Sequence, residues 1–410
     1  MDRLHLEVLD AVKDGKTRHV TRLTHDGGGN AIEIFHEFDR VMPWSDDVPL
    51  DGYVLVILLF AASIGKPLQV HGPISRSALR NMEELLLAWS RWKPMRYRRI
   101  DIVPDRVLDV RGSAGVGVAI AAFSGGMDAT FTALRHAASC GSVSEVTRYG
   151  LRSGLMVHGF DVDVYNARDF ERLVERTRPL FEALKLDLRI VRTNSRDLRL
   201  QDWDDSSALE LAGCLHMHAG EFQYGLLGST KSYDALVLPW GSNPVTDHLM
   251  SGDRLAVVHD GAGFSRTDKA AEILRNPVAC RTVKVCYAGV DQSENCGRCE
   301  KCVRSQLNFL AAGAAKVPPC FPREFDLDCI RAIQIDHEAQ MIEHASLLAY
   351  AKAHGVWGPW LPILEERLAK WRPVAAPLLA RRKAGGPLKR TIAKSLTFLG
   401  VDEPAKKVWR

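Results

Sequence analysis

The chain has 410 residues, in which 54 Lys and Arg face 50 Asp and Glu for a net charge of +4, with 46% hydrophobic and 25% charged residues. Those proportions exclude a disordered or fibrous protein, and the near balance of charge gives no reason to expect a nucleic-acid or membrane partner for the chain as a whole. The length exceeds what one core usually supports, so two or three packed units are expected.

The first residues, MDRLHLEVLDAVKDG, carry acids early and have no long apolar core followed by small residues, so no secretory signal is expected and the compartment is read as cytoplasmic. The most apolar run, Tyr53 to Ile64, is shorter than the roughly 18 residues of a membrane span and should be a buried helix or strand. Ser75 to Trp92 has Leu and Trp at helical spacing. Residues 1–112 are read as a small α+β N-terminal domain, serving packing, substrate coverage or the contact of a homodimer.

From Val116 the rhythm changes. Short apolar runs at Val116 to Phe123, Gly154 to Phe160, Asp187 to Val191, Gln223 to Gly228 and Leu255 to Val258 alternate with helical patterns at Phe131 to Ser139, Ala167 to Leu184, Ser206 to Ala219 and Thr267 to Leu274. Such alternation predicts a mostly parallel, doubly wound α/β sheet over residues 113–280, whose ligands bind beyond the carboxyl ends of the strands. Residues 281–335 hold a cysteine-rich module with a helix from Cys299 to Ala312, and 336–410 read as helical, with Trp357, Trp360 and Trp371 separated by prolines. Arg381 to Arg410 is locally basic, and its interrupting leucines and prolines favour a solvated helix face over a nucleic-acid footprint.

The first strand of the α/β region runs into Ser124-Gly125-Gly126-Met127-Asp128-Ala129-Thr130, followed by a helix. Two glycines let the backbone turn sharply and approach a ligand, and the helix behind presents unpaired N–H groups and its positive dipole end, which together make a phosphate cradle. Ser124 and Thr130 add hydroxyls, and Asp128 is a carboxylate suited to the Mg2+ that accompanies a nucleotide. No lysine follows the glycines as in a kinase P-loop, and no GxGxxG stands at this turn.

Four of the nine cysteines, Cys286, Cys296, Cys299 and Cys302, are spaced C-x9-C-x2-C-x2-C. Four thiolates close a tetrahedral site, as a structural Zn2+ requires. An iron–sulfur cluster is the competing reading. The other cysteines, and His216 and His218, are assigned to core or surface.

The loop resembles the SGGxDS loop of the PP-loop ATP pyrophosphatases, with Ala129 at the family's closing serine. Together with the four cysteines it is similar to 7-cyano-7-deazaguanine synthase and its relatives over Val116 to Gly313. The resemblance implies an adenine nucleotide alpha hydrolase-like fold, ATP held at Ser124, Gly125, Gly126 and Asp128, and zinc at the four cysteines. It implies that a small-molecule carboxylate or carbonyl oxygen is adenylated, with release of pyrophosphate, and then attacked by ammonia or an amine. At the other strand ends, His158-Gly159-Phe160-Asp161 and Gly228-Ser229-Thr230 should border the nucleotide. Asn243 and Asp247 are candidates for substrate contact, and Arg266 and Lys269 for neutralising pyrophosphate; with Asp128 as the Mg2+ carboxylate they are the catalytic candidates. The rival readings are a tRNA-modifying thiolase or ligase and a nucleotide-binding protein without turnover.

Overall fold

The computed structural model describes residues 2–109, 117–139, 146–322 and 324–371. The chain opens with β1 (Leu4–Lys13), β2 (Lys16–His25) and β3 (Ile32–Phe38), an antiparallel meander. It continues through α1 (Asp51–Ile64), β4 (Leu68–Ser75), α2 (Arg76–Trp92) and β5 (Ile102–Leu108). The run Tyr53 to Ile64 is the helix α1, buried nearly all round, which is why it is apolar on every face.

The α/β region follows as β6 (Val118–Ala122), α3 (Met127–His136), β7 (Gly150–His158), α4 (Ala167–Leu184), β8 (Asp187–Thr193), α5 (Trp203–His216), β9 (Tyr224–Gly228), β10 (Ala256–Asp260) and α6 (Arg266–Leu274). After it come α7 (Ala279–Thr282), α8 (Glu300–Ala311), α9 (Leu327–Ala332), α10 (Glu338–Ala353) and α11 (Trp360–Lys370). No helix among the described residues is long and apolar enough to cross a membrane.

The ten strands of the described residues form one mixed, mostly parallel sheet in the order β10-β9-β6-β7-β8-β3-β2-β1-β4-β5. Strands β10, β9, β6, β7 and β8 are mutually parallel, and the chain reverses its direction of travel across the sheet at the β6/β9 pair. Along β6, Ala119 and Ala121 face a core shared with α3, α4, α6 and α8, whereas Ile120 and Ala122 face a core shared with α1, α2 and α5. Helices therefore cover both faces of this half.

The N-terminal strands, expected in a small α+β domain, share the sheet of the α/β region. β3 pairs antiparallel with β8, from His36↔Thr193 to Phe38↔Val191, so the N-terminal strands prolong the same sheet. Asn194 extends the seam past the end of β8: its Oδ1 accepts the Phe35 N–H at 2.9 Å and its Nδ2 donates to the Glu33 carbonyl at 3.1 Å. Helices α1 and α5 touch backbone to backbone, since a Cβ on Gly52 would stand 2.6 Å from the Gly213 carbonyl and one on Gly213 at 2.6 Å from that of Gly52. Sequence periodicity identifies strands but not which edge they join. The basic segment Arg381 to Arg410 lies outside the described residues.

Candidate functional site

Between β6 and α3 the chain turns through Phe123, Ser124, Gly125 and Gly126. Gly125 takes φ +79°, a left-handed conformation open to glycine at little cost. The Gly126 N–H donates to Ser124 Oγ at 3.3 Å, and no side chain caps the N-terminus of α3, so its first N–H groups remain for a ligand. β9 ends against that first turn: a Cβ on Gly228 would lie 2.9 Å from both the carbonyl carbon and oxygen of Asp128. A cavity of about 260 Å3 opens here, at the carboxyl ends of β6, β7 and β9, where the strand order reverses. A wider cavity of about 860 Å3 adjoins it, and Phe160, Asp161, Trp203, Thr230, Arg266 and Lys301 line both.

Asp128 sits at the start of α3 with both carboxylate oxygens engaged: Arg266 Nη2 donates to Oδ2 at 2.8 Å and Lys269 Nζ to Oδ1 at 3.1 Å. Both cations come from the first turns of α6, whose Ser265 and Asp268 form a capping box. Lys269 Nζ also donates to the Ser229 carbonyl, and to Ser229 Oγ at 2.9 Å. Arg266 reaches Glu343 on α10 at 3.1 Å, and Glu343 further accepts from Lys231 at 2.7 Å and Arg304 at 3.3 Å. Arg304 continues to Glu300 at 2.6 Å, and Glu300 lies 3.0 Å from His344 Nε2. Four cations, Lys231, Arg266, Lys269 and Arg304, thus meet three carboxylates, Asp128, Glu300 and Glu343.

Burial alone would raise the Asp128 carboxyl, but Arg266 and Lys269 outweigh it and hold the group well below the usual carboxylate range. Glu343 is lowered in the same way, with burial opposed by Arg266, Arg304 and Lys231. Burial pushes the Lys231 ammonium down against the pull of Glu343.

The structure brings Ser124, Gly126, Asp128, Phe160, Asp161, Gly228, Thr230 and Arg266 to the cavity walls. Thr230 Oγ1 is buried without a hydrogen-bond partner among the described residues. Gly125 and Ser229 act one step back, and Gly159 lines the wider cavity. Gly159 has φ +118°, and a Cβ there would fall 1.9 Å from the Thr193 carbonyl. Lys269, 1% exposed, is bonded to Asp128 and Ser229 and does not itself line either cavity.

Four other expected contributors are placed or engaged differently in this structure. Thr130 is fully buried with its Oγ1 unpartnered, so it does not supply the hydroxyl missing at Ala129, which itself lines the cavity. His158 stacks on Phe170 and lies 2.9 Å from the Asp163 carbonyl, holding the turn after β7. Asn243 and Asp247 build their own loop: Asn243 Oδ1 accepts from Val245 and Thr246, while Asp247 accepts from Ser242 and the Asn243 N–H and lies 2.7 Å from His259 Nδ1. The Mg2+ expected at Asp128 does not fit that carboxylate as placed, because it would have to displace both Lys269 and Arg266. His216 and His218 are buried, in keeping with their assignment to the core.

The ligand atoms of Cys286, Cys296, Cys299 and Cys302 all lie within 4.8 Å of one another, a set that could hold a metal such as zinc. Sγ–Sγ separations of 3.8 Å (Cys286 to Cys299) and 3.9 Å (Cys296 to Cys302) match the edges, about 3.8 Å, of a tetrahedron with metal–sulfur bonds of about 2.3 Å. Thiolates each bound to a different iron of a cluster would stand farther apart. Gly297, at φ +75°, makes the knuckle, and the Cys299 N–H points at Cys296 Sγ at 3.3 Å.

The module is tied to the loop. Asn295, buried, accepts the Val285 and Cys286 N–H groups and donates to the carbonyls of Val283 and Cys320, while the Lys284 N–H donates to the Gly125 carbonyl at 2.8 Å.

No protein-family model matches the chain, and no curated protein and no solved structure matches it significantly. Sequence reasoning missed Glu343, Lys231, Arg304 and Glu300, and the shared-wall residues Trp203 and Lys301. Lys231, directly after Gly228-Ser229-Thr230, carried a local signal; Glu343, in a helix far along the chain, carried none.

Proposed function

We propose that the chain is an ATP-dependent ligase of the PP-loop ATP pyrophosphatase class, adenine nucleotide alpha hydrolase-like in architecture. In this reading it cleaves ATP between the α and β phosphates and adenylates a small-molecule carboxylate or carbonyl oxygen for attack by ammonia or an amine. One observation carries the proposal: the strand–Ser124-Gly125-Gly126-Met127-Asp128–helix turn opens into a cavity at the point where strand order reverses, with Arg266 and Lys269 fixed on Asp128 at its rim.

The substrate oxygen forms a bond to the α-phosphorus as the bond to the β-phosphate oxygen breaks. Negative charge grows on the departing pyrophosphate, where the N–H groups of the α3 N-terminus and the guanidinium of Arg266 stabilise it, with Lys269 holding Asp128 and Ser229 in register. The amine then forms the C–N bond, AMP leaves, and the nitrogen gives up a proton. Positioning by the two adjoining cavities does much of the work, since ATP and substrate supply the reacting atoms. Zinc, held by four cysteines with no open position, would fix the fold and take no part in the reaction. The cytoplasm is the proposed compartment, where thiolates stay reduced and able to hold a metal.

Titration with ATP should give saturable binding. Supplied with ATP, ammonium and a panel of carboxylic acids, the protein should release AMP and pyrophosphate in equal amounts for an accepted acid. ADP and phosphate as products would refute the assignment even with ATP bound.

A further inference from the structure

An amine that attacks an acyl adenylate has a proton to lose, and the carboxylates in the wall of the wider cavity differ in their capacity to take it. Glu343 is held by Lys231, and Glu300 by Arg304 and His344; in both, these partners outweigh burial and pull the carboxyl down, which makes a weak base. Asp202 is bound to Arg96 at 2.6 Å. Glu210, on α5 and 2% exposed, lines the same cavity but takes its hydrogen bonds from neutral donors. Ser206 Oγ and Gln201 Nε2 each donate to its Oε1 at 2.8 Å, and Ser195 Oγ donates to its Oε2 at 2.7 Å. A carboxylate offers about four lone-pair sites, so an acceptor position remains on Oε2.

The group stands where the two cavities adjoin. Trp203, Ser207 and Glu210 follow at i, i+4 and i+7 along α5 and share one helix face. Trp203 lines both cavities, Ser207 the smaller one and Glu210 the wider one. Gln201 anchors the carboxylate to α1, since its Oε1 accepts the Phe60 N–H at 3.0 Å and its Nε2 also donates to the Val56 carbonyl at 2.6 Å. Burial raises the Glu210 carboxyl above its ordinary value against the pull of the three donors and of Arg196. Arg196, from the loop after β8, and Cys214, one turn along α5, are the ionisable groups whose charges reach it. Raised proton affinity suits a base to work nearer neutral pH.

We propose that Glu210 is the catalytic base of the second half-reaction, accepting the proton of the amine that attacks the acyl adenylate. The nitrogen lone pair forms the C–N bond, the carbon–oxygen bond to AMP breaks with its electron pair going to the AMP phosphate, and the proton passes from nitrogen to Glu210 Oε2, which later releases it to water. The inference rests on the ATP reading above. It places the amine in the wider cavity and the nucleotide in the smaller one, with Trp203 in the wall of both.

The test separates the two half-reactions in the full-length protein, using an accepted acid of the carboxylic acid panel and methoxyamine, a nucleophile uncharged at neutral pH. Adenylation is read as acid-dependent exchange of labelled pyrophosphate into ATP, and the second step as amide formed together with AMP. Glu210→Gln keeps the shape but cannot take the proton, so it should leave exchange near the wild-type rate and slow amide formation by about 100-fold or more. In the wild type, kcat for amide formation should fall as the solution becomes acidic, along a limb above the ordinary carboxylate range, and the variant should lack that limb. Ser195→Ala removes a donor to the charged form and should move the limb to higher pH. That shift decides alone if Glu210→Gln does not fold, and a limb left in place would then overturn the proposal. Unchanged amide formation in Glu210→Gln, or loss of exchange and amide formation together, would overturn the base and leave the ATP reading standing. A wild-type protein that exchanges pyrophosphate with no acid of the panel would overturn both.

Discussion

In the half of the sheet that carries the cavity, Asp128 and Glu343 are buried yet held in their charged forms by Arg266, Lys269, Arg304 and Lys231. Beneath the N-terminal strands three buried histidines are treated in the opposite way. His36 and His218 have no hydrogen-bond partner at either ring nitrogen, and burial pushes both down to about 3. His19 is pushed down to about 4, as burial outweighs the pull of Asp10. Where cations can be brought in from distant segments, the fold keeps charge inside. Where they cannot, the groups discharge, and the interior behaves as an apolar core with polar atoms in it. In the proposed reading the charged half meets the ligand, and the neutral half packs α1 and α5 against the sheet.

The sharpest way to break the comparison is to remove what braces the charged half. Cys302→Ser takes away one of four thiolates, and loss of the metal should cost of order 5 kcal/mol or more, read as a large fall in melting temperature with loss of bound zinc. An iron-containing protein with acid-labile sulfide would instead reject the single-ion site. Next comes Asp128→Asn, which leaves Arg266 and Lys269 buried beside a neutral amide and should cost about 3–5 kcal/mol. It should also depress turnover by roughly two orders of magnitude, about 2.7 kcal/mol of transition-state stabilisation. An unchanged melting temperature would mean that the ion pairs do not set the stability of this half. Gly228→Ala should have a smaller effect, about 1–3 kcal/mol, by driving a methyl against the Asp128 backbone. Its mark would be weakened ATP binding in a protein that remains folded.

What could be read from the sequence follows the same division between local and distant causes. Helix α4 has the expected bounds because its signals are local: an amphipathic run, an Asn166 side chain accepting the Asp169 N–H, and a left-handed Lys185 at the C-terminus. The cysteine spacing and the Ser124-Gly125-Gly126 turn are local too. Helix α3 begins at Met127, not Phe131, because the glycine turn passes directly into the helix. Glu343, Arg304 and Glu300 reach the site only through the packing of α8 and α10, which no short window contains. Asn243 and Asp247 misled for a chemical reason: residues that satisfy a loop's own N–H groups carry the same amides and carboxylates as residues that hold a substrate. The N-terminal strands were readable as strands, but their continuation of the sheet depends on β3 meeting β8.

The last effect should come from the neutral half and should be near zero at neutral pH and appear only in acid. His36 and His218 have folded-state values of about 3, below the ordinary 6.5 of an unfolded chain, so unfolding takes up protons as the solution becomes acidic. Their contribution is intact above pH 6.5 and is lost as the pH falls from there towards about 3, at up to about 1.4 kcal/mol per pH unit for each histidine. Asp128 cannot mimic this window, because its folded value lies below the carboxylate range and its contribution is lost only below the ordinary carboxylate pKa. Replacing the ring with an apolar side chain, His36→Leu, removes two unpartnered nitrogens at the cost of some misfit in shape. Melting curves at pH 8 should therefore show little difference between the variant and the wild type. At pH 5 the variant should melt at the higher temperature, because the wild type alone gains from protonating residue 36 on unfolding. Parallel acid profiles for the two proteins would mean that His36 is solvated or paired in the native state, and the contrast between the two halves of the sheet would then rest on His19 and His218.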